Sequence, residues 1–202
     1  MEILDWGLIP YEEAMNRQLE LVDQVSRENS SEFIVFCRHP SVVTTGRATE
    51  AGDLGSWNGE IIQSQRGGRA TYHGPEQLVV YPIINLNLRE KDLHLHLRKL
   101  ENALVDCLDV CFGITAKGGI KDATGVWVAE KKIASLGIAV RKWVTYHGMA
   151  VNLNPDPLAF SGISPCGFST STMTNLSKLS NRETNYESFR EQLEPFLLKQ
   201  WI

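Results

Sequence analysis

Residues 125–154 read GVWVAEKKIASLGIAVRKWVTYHGMAVNLN, and this stretch decides the fold class. It is crowded with Val, Ile, Trp, Thr and Tyr, which suit a pleated, half-buried surface. Three strands joined by tight turns are predicted, with a hairpin turn just before Lys131. Upstream, Leu93, Leu97, Leu100, Leu104, Cys107 and Cys111 share one face of a helix over residues 92 to about 110. Asp92 is placed to cap its start and Gly113 to end it. Strands are expected at residues 33–37, 42–45, 61–65 and 78–84, the first two separated by a turn at 38–41. A first helix over residues 11–27 presents Tyr11, Met15, Leu19, Val22 and Val25, with Pro10 suited to its first position. Thr184 and Glu187 form a capping-box pattern ahead of a last helix with Phe189, Leu193, Phe196 and Leu197, which Pro195 should kink or interrupt. Helices and strand groups mix without βαβ alternation, so an α+β fold is expected, a mixed sheet with helices packed on it.

A chain of 202 residues fits one domain, residues 1–202, with a core large enough to need no staples. The net charge of −4 argues against general nucleic-acid binding, which calls for a basic face. No apolar run approaches the roughly 18 residues of a membrane span. The start, Met-Glu-Ile-Leu-Asp-Trp, is acidic where a targeting signal would be basic, so a cytoplasmic protein is expected; a monomer is expected separately. Cys37, Cys107, Cys111 and Cys166 lack a short-spaced pairing pattern and are read as reduced thiols, with no metal and no cofactor anticipated.

Three segments hold residue types that a core does not explain. The first is Arg66-Gly67-Gly68-Arg69-Ala70-Thr71-Tyr72-His73-Gly74-Pro75-Glu76-Gln77. Its glycines let a backbone approach another group and offer unobstructed N–H donors; the alternative is a β-turn with exposed arginines. The second is Lys131-Lys132-Ile133-Ala134-Ser135-Leu136-Gly137, in which alternation puts Lys132, Ala134 and Leu136 on one face. A lysine among apolar neighbours is partly desolvated and can act as a base; the alternative is a lysine snorkelling from a strand end. The third, Ile163-Ser164-Pro165-Cys166-Gly167, sets a cysteine in a turn, open to a substrate. Cys107 and Cys111, four apart on a helix, read instead as small buried hydrophobes.

In this order, with Tyr146-His147-Gly148-Met149-Ala150 following the second block, the segments resemble the signature blocks of the lipoyl(octanoyl) transferases, the match running over residues 33–167. That resemblance implies the fold of the biotin and lipoate ligase catalytic domains. It implies transfer of an octanoyl group from octanoyl-acyl carrier protein to a lysine on lipoyl domains of 2-oxoacid dehydrogenases or the glycine-cleavage H protein. By the same resemblance Cys166 falls on the thioester-forming cysteine and Lys132 on the lysine that activates it. Arg66 through His73, Ser135 through Gly137 and Gly148 through Ala150 fall on substrate-binding stretches. Glu76 departs from the usual glycine of His-Gly-Pro-Gly-Gln, and Gln65 from a frequent aspartate. An ATP-dependent ligase on the same fold, or a carrier-binding scaffold without turnover, are the competing readings, and Pro165-Cys166-Gly167 with Lys132 discriminates against both.

Two further expectations follow. Ala70, Leu78 and Val80 would line an acyl tunnel, and N–H groups near Cys166 and Gly167, or from Gly67-Gly68, would stabilise an oxyanion. Lys117, Lys121, Lys131, Lys132, Arg141 and Lys142 would form a basic rim for an acidic carrier protein.

Overall fold

The computed structural model describes residues 1–27, 30–120, 123–163 and 170–201. Ten strands and four helices are named here: β1 Glu2–Leu8, α1 Tyr11–Val25, β2 Phe33–Arg38, β3 Val42–Thr45, β4 Ile61–Gln63, β5 Thr71–His73, β6 Gln77–Ile83, α2 Leu93–Phe112, β7 Lys117–Ile120, β8 Ala123–Val128, β9 Lys131–Arg141, β10 Val144–Asn152, α3 Leu176–Ser180 and α4 Tyr186–Leu198. The expected α+β class is what forms. A seven-stranded sheet runs β1-β2-β6-β10-β9-β8-β7, parallel only between β1 and β2. A three-stranded sheet runs β4-β3-β5.

Side chains on one face of the large sheet, among them Ile34, Phe36, Leu78, Val80, Ala134, Leu136 and Met149, pack with Leu100, Leu104 and Leu108 of α2 and Phe189 and Leu193 of α4. The alternate residues Phe33, Val35, Val79, Tyr81 and Ala150 pack with Val22 and Val25 of α1. The small sheet keeps a separate core of Val43, Ala70, Tyr72, Phe160 and Ile163. Among the described residues no helix is long and apolar enough to cross a membrane.

Several expectations change. The runs at 33–37 and 42–45 do not form a hairpin, because β2 and β3 belong to different sheets. Strands β1, β5 and β7 and the short α3 are additional elements. In α1, Ala14 and Gln18 are buried, Met15 and Leu19 only half so, and Pro10 precedes the helix as its cap. Asp92 and Gly113 end α2 as expected, Asp92 accepting from Leu95 N–H and Gly113 turning left-handed (φ 65°). In α4 the cap is Asn185 rather than Thr184: its side chain accepts from Ser188 N–H at 2.9 Å. Pro195 does not interrupt α4, which runs three residues further to Leu198.

The cap assignment is testable by urea unfolding. Asn185→Ala should lower stability by about 1 kcal/mol. Thr184→Val should cost little, since the Thr184 hydroxyl is buried without a hydrogen-bond partner among the described residues. The reverse ranking would move the cap back to Thr184.

Candidate active site

A cavity opens between the α1 face of the large sheet and the small sheet. Ser135, Leu136 and Gly137 of β9, Gly148, Met149 and Ala150 of β10, and Val79 and Tyr81 of β6 form one wall; Arg66, Gly68, Thr71 and His73 form the other, and Tyr11 and His147 close it. It is a narrow slot of about 430 Å³, part of it open to solvent.

Loop 66–68 reaches the large sheet through Gly67 N–H, which donates to Ile138 O at 2.9 Å. This approach needs Gly137, where a Cβ would stand 3.0 Å from Gly67 O. Arg66, 6% exposed, holds the loop: one terminal nitrogen donates to Arg69 O (2.8 Å) and Gly67 O (3.2 Å), the other to Thr44 O and Oγ1 (both 2.8 Å). The slot therefore brings together most of the substrate-binding stretches that the resemblance implies. Gly67, Arg69, Ala70 and Tyr72 stand off its wall. Arg69 pairs with Glu50 and with the fully buried Asp53, and its guanidinium holds the Asp53 carboxyl below the usual carboxylate range. Tyr72 points the other way, its hydroxyl donating to Asp156 Oδ2 at 2.5 Å.

The expected tunnel residues are corrected. Ala70 belongs to the small-sheet core, and Leu78 and Val80 face α2; Val79 and Tyr81 line the slot instead. Gly67 N–H is engaged by Ile138 and is not available to an oxyanion. Among the described residues the basic rim does not form as one surface. Lys132 is 2% exposed, Lys131 donates to Ser171 O, and Arg141 and Lys142 pair with Asp23 ten residues further along β9, roughly 33 Å away at strand rise. Cys166, Gly167 and Lys121 lie outside the described residues. Of the departures, Gln65 is exposed, and Glu76 accepts from Asn154 Nδ2 at 2.9 Å.

Lys132 reaches the slot's face through an irregularity. Val126 pairs with Ala134 but Trp127 with Lys132, so Ile133 is an extra residue in β9. The bulge overturns strict alternation: Ile133 and Ala134 both join the α2 core, while Lys132 turns to the face that holds Ser135. Two ladder steps, roughly 7 Å, separate Lys132 from that slot residue. Its stem crosses Gly125, where a Cβ would meet Lys132 Cε at 2.4 Å, and its ammonium lies 5.5 Å from the Trp127 ring centroid.

At the closed end Tyr11 is stacked between His73 (centroids 5.5 Å, 21°) and His147 (6.4 Å, 9°), with its hydroxyl 3.3 Å from His147 Nδ1. His39 Nδ1 lies 2.7 Å from Ile9 O and must carry the hydrogen, so the neutral ring's Nε2 accepts from Tyr81 OH at 2.7 Å. Burial pushes the pKa of His39 down to about 4 and of His147 to about 3, and that of His73 well below its ordinary value. Motif reading missed Tyr11, His147, Val79 and Tyr81. One signal was available: Tyr-His-Gly occurs twice, at 72–74 and 146–148, and its two histidines are the ones that meet around Tyr11.

The slot and its glycine-walled loop thus lie together where the large and small sheets meet. Residues 10–197 match the family model of the lipoyl protein ligase A/B catalytic domain. The chain belongs to this family and, within it, to the octanoyltransferases. The octanoyltransferase of Bdellovibrio bacteriovorus is 46% identical over 211 residues, covering 96% of each chain. In fold, the chain is similar to a bipartite lipoate protein ligase from Thermoplasma acidophilum, at TM-score 0.71 and 19% identity, covering 98% of this chain and 82% of that one. It is also similar to the biotin protein ligase of Aquifex aeolicus, at TM-score 0.58 and 12% identity, covering 98% and 68%.

The buried histidines make stability depend on pH. His39, His73, His96 and His147 are held neutral when folded, His96 with its pKa pushed down to about 4 by burial, whereas an unfolded histidine titrates near about 6.5. Over the interval from about 6.5 down to about 4 the unfolded chain binds more protons, so stability falls as pH falls. Urea unfolding at stepped pH should show more than one proton taken up on unfolding near pH 5. A flat response across that interval would contradict the burial of neutral rings.

Proposed function

We propose that this octanoyltransferase takes its octanoyl group from octanoyl-acyl carrier protein, carries it as a thioester on Cys166, and delivers it to a lysine of a lipoyl domain. Donor, intermediate and acceptor follow from the ordered motif blocks and from the family. The observation that carries the reading is Lys132: an ammonium-bearing side chain only 2% exposed, turned by a bulge onto the face of the slot. A side-chain amine held on that face can act on a group brought to the slot, by its charge or as a base.

Cysteine near pH 7 is mostly protonated, with a free pKa of about 8.5, and a neighbouring ammonium favours the thiolate. The Cys166 thiolate attacks the donor's thioester carbonyl, and the carrier's thiolate leaves. The amine of the acceptor lysine then attacks the enzyme thioester; an amide forms, the amine's proton is released, and the Cys166 thiolate is restored. One thioester exchanges for another before the downhill aminolysis, so no nucleotide is consumed. Burying about six methylenes of the acyl tail in the slot, at roughly 0.8 kcal/mol each, contributes about 5 kcal/mol and favours a medium chain over a short one. The lipoyl domains of 2-oxoacid dehydrogenases and the glycine-cleavage H protein are the proposed acceptors, and the cytoplasm the proposed site of action.

Mass spectrometry after incubation with octanoyl carrier protein should find an adduct of one octanoyl group on Cys166 without added ATP. Cys166→Ser should abolish both adduct and transfer. Lys132→Met should move the pH midpoint of Cys166 alkylation up towards about 8.5, while Lys131→Met should leave it in place. Transfer at a near-normal rate by Cys166→Ser, or an absolute need for ATP, would sink the covalent reading in favour of a ligase.

A further inference from the structure

Glu101 of α2 is only 5% exposed, and the chemistry proposed above gives it no part. Glycines make room for it. A Cβ on Gly118 would stand 2.8 Å from Glu101 Cβ and 2.9 Å from its Oε2, and Gly125 N–H donates to Oε1 at 2.9 Å. The same Gly125 receives Lys132: a Cβ there would meet Lys132 Cε at 2.4 Å and Nζ at 3.1 Å. One residue without a side chain thus separates a buried ammonium from a buried carboxylate. Those two contacts and the bonds between them put Lys132 Nζ no more than about 9 Å from Glu101 Oε1. Opposite charges within this distance attract each other, and more so where water is scarce.

Resting on the reading of Lys132 and Cys166 given above, we propose that Glu101 is a positioning residue, a counter-ion whose charge helps to keep Lys132 an ammonium. A glutamine could accept the Gly125 N–H equally well without burying a charge. What glutamate adds is the charge itself. Burial raises the pKa of its carboxyl, opposed by hydrogen bonds from the Gly125 and Gly119 N–H groups and by the charges of Lys132 and Arg98. Arg98, 56% exposed and 3.8 Å from Asp92, is the more screened of the two cations. Lys131, beside Lys132 on β9, is turned to Ser171 O, and from β8 the group facing Lys132 is the uncharged Trp127 ring.

The test is a double-mutant cycle on iodoacetamide alkylation of Cys166 at pH 7, followed on the Cys166 peptide by mass spectrometry. Glu101→Gln should slow alkylation about tenfold in the otherwise native chain, the effect of one unit in the thiol pKa. In the Lys132→Met background the same change should alter the rate by less than about twofold, because the residue it acts through is gone. Equal slowing in both backgrounds would mean a merely structural role, and an unchanged or faster rate in the native background would overturn the counter-ion. Should Lys132→Met alone alkylate like the native protein, the parent reading of Lys132 falls and this inference with it. If Lys132→Met is slow and Glu101→Gln normal, only the inference is lost. Should Glu101→Gln not fold, Glu101→Asp against Glu101→Asn isolates the charge: faster alkylation in the aspartate variant is expected, and equal rates overturn the proposal.

Discussion

The guanidinium of Arg66 is the interaction on which the slot depends. It lies where loop 66–68 crosses between sheets, and its two terminal nitrogens bond the loop's own carbonyls and both oxygens of Thr44 on the central strand of the small sheet. On its far side the loop is tied to β9 by Gly67 N–H. A planar, permanently charged fork suits this task, whereas a lysine would supply one mobile charge and leave buried carbonyls unbonded. The cation has a second effect. After burial, its field is among the causes that depress the pKa of His73 and His147, so the group that fastens the loop also keeps the closed end of the slot free of charge. A neutral end is compatible with an apolar tail; an imidazolium there would hold water against it.

How much could be read beforehand depends on how local the signal is. The long helix α2 was legible to within a turn because its apolar period, Asp92 cap and Gly113 stop agree with one another. Strand β1 was hidden by Glu2 and Asp5, and the Asp5 carboxylate accepts from Gly7 N–H where the pairing with β2 slips. Neither β2 nor β3 carries a mark of which sheet it joins, since a short apolar run specifies extended chain and not its partner. The motif stretches could be recognised as chemical, but their facing could not. Every residue of β6 is buried, so alternation carries no inside-outside contrast, and choosing Leu78 and Val80 over Val79 and Tyr81 was a choice between two cores.

The closed end of the slot shows a related limit. His147 has left-handed backbone (φ 58°) inside β10, which for a non-glycine residue costs on the order of 1–3 kcal/mol. Its N–H is taken by Oε1 of Gln18, a buried polar residue on the otherwise apolar face of α1. Periodicity would have set a leucine-like residue at position 18. The helix instead carries a carboxamide because the twisted strand beneath it offers a backbone donor that the sheet leaves unbonded. Two violations of local preference, one on each element, satisfy each other, and together they seat His147 against Tyr11 at the start of the helix.

The bulge in β9 works by the same logic at the other end of the slot. With regular alternation Lys132 would share the α2 face with Ala134 and Leu136, on the side of the sheet away from Ser135. Inserting Ile133 turns both Ile133 and Ala134 into the core and sends Lys132 to the opposite face, beside the slot. That alone would not suffice, because β8 lies alongside and an ordinary side chain at Gly125 would occupy the path of the lysine stem. Bulge and glycine therefore act as a pair: one chooses the face and the other clears it. The strand pattern records neither, since Lys-Ile-Ala-Ser-Leu-Gly alternates well enough to be read straight, and only the slipped register against Val126 and Trp127 reveals where the lysine goes.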